Sequence, residues 1–240
     1  MCCQILRKSP ACQPVKTCMI RTLTGIGRTR WLTHFALLLI TLGAVYLTRR
    51  FYAPNAALSY ILTIATGYLS LALLIITLLV GPLKLMWQRR NPVNVDLRRD
   101  VGIWTAINGL IHVVFGLQVR ERLGVIGYFL RETANGYVLL TNRFGIANWV
   151  GLAATVTLIA LLATSNDWSL RKLRGPRWKA VQRWNYALAG LALLHTFLYQ
   201  MVSGREHYLI TATLAFTLVL LAGQFVGIQL YRAGRRRRKQ

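Results

Sequence analysis

The chain has 240 residues, 55% of them hydrophobic and only six acidic, so a separate water-soluble catalytic domain has no room beside its apolar stretches. Thirty Lys and Arg give a formal charge of +24. They lie between long apolar runs and not on one patch interleaved with polar and aromatic residues, which argues against nucleic acid as a partner. The expected fold is an all-α polytopic membrane bundle surrounded by lipid.

Residues 1–30 read as a basic leader without regular structure. Its four cysteines, Cys2, Cys3, Cys12 and Cys18, lack the paired spacing of a zinc or iron–sulfur site. Pro10 and Pro14 interrupt the leader, and it has no apolar core of the kind a cleavable signal needs; Met19 is a second candidate start. Crossing ~30 Å of hydrocarbon takes ~20 apolar helical residues. Six segments reach or approach that length: Trp31 to Thr48, Ala57 to Leu79, Val101 to Gln118, Ala147 to Thr164, Val181 to Val202 and Tyr208 to Tyr231. They define a membrane domain over 31–232, followed by a basic tail at 233–240 expected to lie against anionic lipid. Pro82 and Pro92 bracket one short turn and Gly175-Pro176 marks another. The stretch from Val119 to Arg143 carries Ile126, Tyr128, Phe129 and Leu130 and is predicted to hold a short interfacial helix. No internal repeat is visible. Lys and Arg outside the spans number six, five, five and six on one side, against two, four and one on the other. Twenty-two against seven places both termini in the cytoplasm.

The third segment is the least apolar and carries Asn108 and His112; polar residues in a span face the bundle interior, so this should be a central helix. Asp96, Asp100, Glu121, Glu132, Asp167 and Glu206 all fall in loops or at helix ends, which argues against carboxylate-based pumps and ion-coupled transporters. There is no glycine-rich phosphate loop, no HExxH and no Ser/His/Asp set. Histidine remains. His112 lies about 12 residues into the third helix and His195 about 15 into the fifth, depths of ~18 and ~22 Å from the cytoplasmic ends. The two are level enough to ligate one haem iron from opposite sides, the b-type arrangement that facing bundle helices provide. For either histidine alone, a hydrogen bond to a neighbouring helix is the simpler reading. Matched depth on two helices of the same polarity is what points to haem. His34, near the cytoplasmic end of the first helix, and His207, at the outer start of the sixth, are weaker candidates.

Three stretches carry a resemblance: TGYLSLALLIITLLVGPLKLM at 66–86, LRRDVGIWTAINGLIHVVFG at 97–116, and LLATSNDWSLRKLRGPRWKAVQRWNYALAGLALLHTFLY at 161–199. With these the chain resembles the ferric reductase-like transmembrane family, and within it the branch serving protein-methionine-sulfoxide reduction. The resemblance implies an antiparallel bundle with haem b between the third and fifth helices. It implies electrons taken from a cytoplasmic flavin (FMN) reductase or a quinol and delivered outward, to an extracytoplasmic reductase subunit, ferric iron or oxygen. His112 and His195 fall on the family's outer haem pair. The inner pair falls on Arg98 and Gln182, which stand 14 and 13 residues before His112 and His195. Arginine is permanently protonated and an amide oxygen is a weak ligand, so one haem is expected, with the inner site absent or unusually ligated. His34 is a geometric alternative at the inner site, without spacing to support it.

An outer haem alone leaves most of the hydrocarbon between it and the cytoplasm. A quinone/quinol reaching it laterally would bridge that gap. Trp104, Trp149, Trp178 and Trp184 are candidates to line its site, and interfacial anchoring explains the last three equally well. Arg98, Arg99, Arg174, Arg177 and Lys179 make a basic cytoplasmic face suited to an acidic reductase or a flavin phosphate, though positive-inside topology already accounts for them. No dinucleotide fingerprint is present, so nicotinamide-dependent activity requires a separate protein. The competing function is a structural or assembly subunit that has lost the inner haem site. The expected setting is a bacterial inner membrane or a thylakoid membrane.

Overall fold

The structure is a computed structural model that describes residues 27–86, 93–120, 124–203 and 207–237, so the cysteines of the leader lie outside the described residues. In chain order the helices are α1 (Gly27–Leu47, continued by a π-helical turn at Thr48–Tyr52), α2 (Leu58–Met86), α3 (Val93–Gly116), α4 (Arg143–Ala163), α5 (Asp167–Gln182), α6 (Trp184–Ser203) and α7 (His207–Arg237). Between α3 and α4 the described residues include a 3-10 turn at Ile126–Tyr128 and a hairpin of β1 (Leu130–Thr133) and β2 (Gly136–Leu139).

Each of the six expected segments corresponds to one long helix. Four of them, over Trp31–Tyr52, Leu58–Leu83, Arg143–Ala163 and Leu209–Arg236, are long and apolar enough to cross a membrane. The other two, α3 and α6, miss that standard through polarity: their 24 and 20 residues reach ~36 and ~30 Å. These two helices carry His112 and His195. Trp31, Phe35 and Leu42 on α1 and Leu218, Leu221 and Phe225 on α7 are exposed, an apolar outer belt that suits lipid and not water. The chain is a multi-pass membrane protein.

The most enclosed helix is α2. Its Leu71, Leu74, Ile75 and Leu78 form one cluster with Ala106 of α3, Leu158 and Leu161 of α4, Leu188 and Ala189 of α6 and Leu220 of α7. Beside it, α3 turns Thr105 and Asn108 inward. Without water, these polar groups find partners across helices: Ser70 Oγ donates to Thr105 O (2.9 Å), Gln200 Nε2 to Tyr68 Oη (2.9 Å) and Gln224 Nε2 to Leu78 O (3.0 Å). Small residues bring α7 onto α2, with Gly223 against Leu79 and Gly227 against Pro82. Gly223→Leu should overpack this seam and destabilise the fold by about 1–3 kcal/mol, read as a lower Tm in detergent.

Four sequence expectations change. Among the described residues between Val119 and Arg143, the short helix expected there is limited to the 3-10 turn at Ile126–Tyr128, and the residues after it pair as a hairpin, with Leu130 opposite Leu139 and Glu132 opposite Tyr137. Its turn places Gly136 at φ 110, where a side chain would be strained. The segment expected only as a Gly175-Pro176 turn contains α5, broken at Arg174 (φ 55, ψ 161) because Pro176 cannot continue a helix begun at Asp167. α3 begins at Val93, so Asp100 is not at a helix end but inside the helix, 1% exposed. The last helix continues through Arg237, so the basic run starts in a helix and not in a tail.

Candidate functional site

His112 on α3 and His195 on α6 stand with ring centroids 6.0 Å apart and planes at 88°. Two imidazoles bound to one metal at about 2 Å each would have centroids about 6 Å apart. His112 Nδ1 lies 2.8 Å from Thr63 O on α2, and His195 Nδ1 lies 2.8 Å from Ala147 O on α4. A carbonyl can only accept, so each Nδ1 carries the hydrogen and each Nε2 is the nitrogen with the lone pair, the tautomer a metal requires. Each ring also covers a glycine one turn beyond its carbonyl. A Cβ on Gly67 would fall 2.5 Å from His112 Nδ1, and one on Gly151 would fall 2.7 Å from His195 Nδ1.

The same device is thus built twice, a histidine on one helix held by the carbonyl and the glycine of the helix before it in the bundle. The partners are separated by 49 and 48 residues in the two cases. The sequence shows no repeat because only a carbonyl, a glycine and a histidine recur. Sequence reasoning missed Thr63, Gly67, Ala147 and Gly151. Their one signal, a glycine four residues after the carbonyl in both helices, means nothing until the histidines are known to face them.

Both rings line a cavity of about 360 Å³ between α2, α3, α4 and α6. Gly67, Gly109, Gly116 and Gly151 leave space along its walls, Leu71, Leu74, Leu158 and Leu188 make it apolar, and Tyr60, Tyr128, Tyr199 and Arg120 edge it. Among the described residues no cluster of three or more His, Cys, Asp or Glu could hold a metal ion. Two imidazoles alone would leave an ion undercoordinated. The site therefore fits a metal that brings its own equatorial ligands in a flat, largely apolar frame, as haem does.

Neither Arg98 nor Gln182 lines this cavity. Arg98 is half-buried in the first half of α3, and Gln182 is the last residue of α5. Gln182 Oε1 accepts from Asn185 Nδ2 (3.1 Å), while its Nε2 is buried without a hydrogen-bond partner. His34 is engaged elsewhere. Its Nδ1 accepts from Trp104 Nε1 (2.9 Å) and its Nε2 lies 3.6 Å from Asp100 Oδ1, so α3 occupies both sides of the ring. His207 is exposed at the start of α7.

Of the other tryptophans, Trp178 Nε1 donates to Thr164 O (3.0 Å), Trp149 meets Phe129 edge-on at 5.1 Å, and Trp184 is exposed; none of the four lines the cavity. Arg174, Arg177 and Lys179 are exposed on α5, while Arg99 is half-buried on α3.

The family described as ferric reductase like transmembrane component matches residues 66–193, a stretch that runs from α2 into α6 and includes His112. The chain is 33% identical over 156 residues to the protein-methionine-sulfoxide reductase heme-binding subunit MsrQ of Yersinia pseudotuberculosis serotype O:1b (strain IP 31758), covering 65% of this chain and 70% of that protein. It is equally similar to the protein of the same description from Yersinia pestis (strain Pestoides F), with 33% identity over 156 residues, 65% of this chain and 69% of that one. By the extent of both matches, the chain, whose helical bundle brings His112 and His195 to one cavity, belongs to the ferric reductase-like transmembrane family.

Proposed function

We propose that this chain is the membrane-embedded electron-transfer subunit of a reductase, holding one b-type haem between His112 and His195. The observation that carries the reading is the pair of imidazoles 6.0 Å apart, each with Nδ1 bonded to a helix carbonyl, on one apolar cavity. The similar Yersinia proteins are described as haem-binding subunits of a protein-methionine-sulfoxide reductase, which supports the same reading.

A haem bound there supplies reversible one-electron storage. The protein's part is to fix the ligands. Donation from Nδ1 to Thr63 O and Ala147 O sets tautomer and ring orientation and raises the basicity of Nε2. His112 and His195 would hold the haem iron, and a haem so held would supply one-electron transfer. The chain crosses the membrane six times with both termini cytoplasmic, by its charge asymmetry. The donor is a quinol arriving through the bilayer or a flavin reductase drawn to exposed Arg174, Arg177 and Lys179. The acceptor is an extracytoplasmic reductase subunit.

The deciding experiment is a reduced-minus-oxidised spectrum of the detergent-purified chain with a pyridine haemochrome assay. The expected result is a b-type spectrum at about one haem per chain. Two haems per chain would overturn the single-site reading and return Arg98, Gln182 and His34 to consideration. A folded, inserted protein without haem would overturn the electron-transfer function in favour of an assembly subunit.

A further inference from the structure

Among the described residues lining the histidine cavity, Arg120 alone carries a permanent charge. It sits just beyond the outer end of α3, where its guanidinium lies 4.5 Å from the centroid of Phe144. Among the described residues no carboxylate pairs with it. Arg120 is exposed to the surroundings while lining the cavity edge, so its guanidinium can reach an anionic group at the cavity mouth.

The position of Arg120 is built, not incidental. Its backbone N–H donates to Tyr128 Oη (3.0 Å), and that hydroxyl donates to Gly116 O (2.9 Å), closing the turn that follows α3. Tyr128 is 3% exposed, and its carbonyl accepts from Asn148 Nδ2 (3.0 Å). Asn148 Oδ1 in turn accepts from Tyr199 Oη (2.7 Å), whose ring stands 5.0 Å from that of His195. A continuous, largely part-buried chain of hydrogen bonds thus ties the helix of His195 to the turn that carries Arg120. The neighbouring rings of Phe144, Tyr128 and Tyr199 brace it from behind.

A haem is apolar except for its two carboxylate side chains, and a guanidinium fork matches a carboxylate in two parallel charge-assisted hydrogen bonds. We propose that Arg120 anchors a haem propionate, fixing the carboxylate edge of the cofactor toward the rim formed by the α3–α4 connection. The inference rests on the haem reading above. It makes Arg120 the residue that selects the tetrapyrrole's orientation in the cavity. It also predicts a more positive haem potential than the histidine pair alone would give, because a nearby cation favours the reduced, less positive iron.

The test is reconstitution of the haem-free full chain with haem and with haem dimethyl ester, in wild type, Arg120→Gln and Arg120→Lys. Wild type should bind the free acid about tenfold to a hundredfold more tightly than the ester, the range for hydrogen bonds to charged groups. Arg120→Gln should lose that preference by weakening the acid alone, keep the same bis-histidine spectrum, and show a lower midpoint potential. Arg120→Lys should keep part of the preference. Acid and ester weakened equally by Arg120→Gln would reduce Arg120 to a structural role and overturn the proposal. So would an acid-over-ester preference that survives the substitution. A wild type lacking a bis-histidine spectrum would instead defeat the underlying haem reading, and ester binding by Arg120→Gln serves as its own check of folding.

Discussion

Alanine in place of either His112 or His195 should abolish the low-spin haem spectrum, with haem affinity falling on the order of 100-fold or more, beyond the range seen when only a supporting group is lost. Among the described residues no other His or Cys lines the cavity to replace the missing ligand. The bundle should survive the change. Thr63 O and Ala147 O belong to helices and keep their own intrahelical bonds, a carbonyl having two lone pairs. Imidazole in the buffer should restore much of the spectrum by occupying the vacated space. Retention of a full bis-histidine spectrum by either variant would show that the ligands lie elsewhere.

Gly67→Ala and Gly151→Ala should weaken haem binding about tenfold to a hundredfold, although neither residue touches iron in the proposed site. The added methyl carbon would stand 2.5 Å from His112 Nδ1 in the first and 2.7 Å from His195 Nδ1 in the second. Each ring is already held to a carbonyl at 2.8 Å, so it can make room only by leaving that bond and its orientation. Alanine is otherwise the better helix former by ~1 kcal/mol, so the Tm of the haem-free protein should hold steady or rise while haem is lost. Gly43→Ala and Gly190→Ala are the controls, because a Cβ at either meets nothing within 4 Å. Unchanged occupancy in Gly67→Ala and Gly151→Ala, measured by pyridine haemochrome, would show that the rings are not held as described.

The helices were legible in proportion to how purely apolar they are. α1, α2, α4 and α7 appear as long apolar runs, because the need to bury backbone polar groups in hydrocarbon leaves a helix as the only solution. The first turns of α3 did not. Residues 93–100 are polar enough to read as a loop ending at Asp100, whereas Asp100 lies buried within the helix against His34. The hairpin at 130–139 was also hidden, since a short run of mixed apolar residues does not distinguish a strand from an interfacial helix. His112 and His195 were legible as a pair through their depth alone, a quantity that helix rise converts directly from residue number.

The sequence by itself determined membrane residence, the six long helices, the charge asymmetry and the two histidines as the candidate ligands, because apolar length and polar intrusion are local properties of a chain. Tertiary structure decided the rest. Which carbonyl receives each imidazole, which glycine lies beneath it, and that Arg120 brings a permanent charge to the cavity depend on the rotation and register of helices that are distant in sequence. So does the placement of His34 between Trp104 and Asp100. Such pairings arise only when side-chain shape is matched across a packed interface, and no single helix encodes the face its neighbour will present.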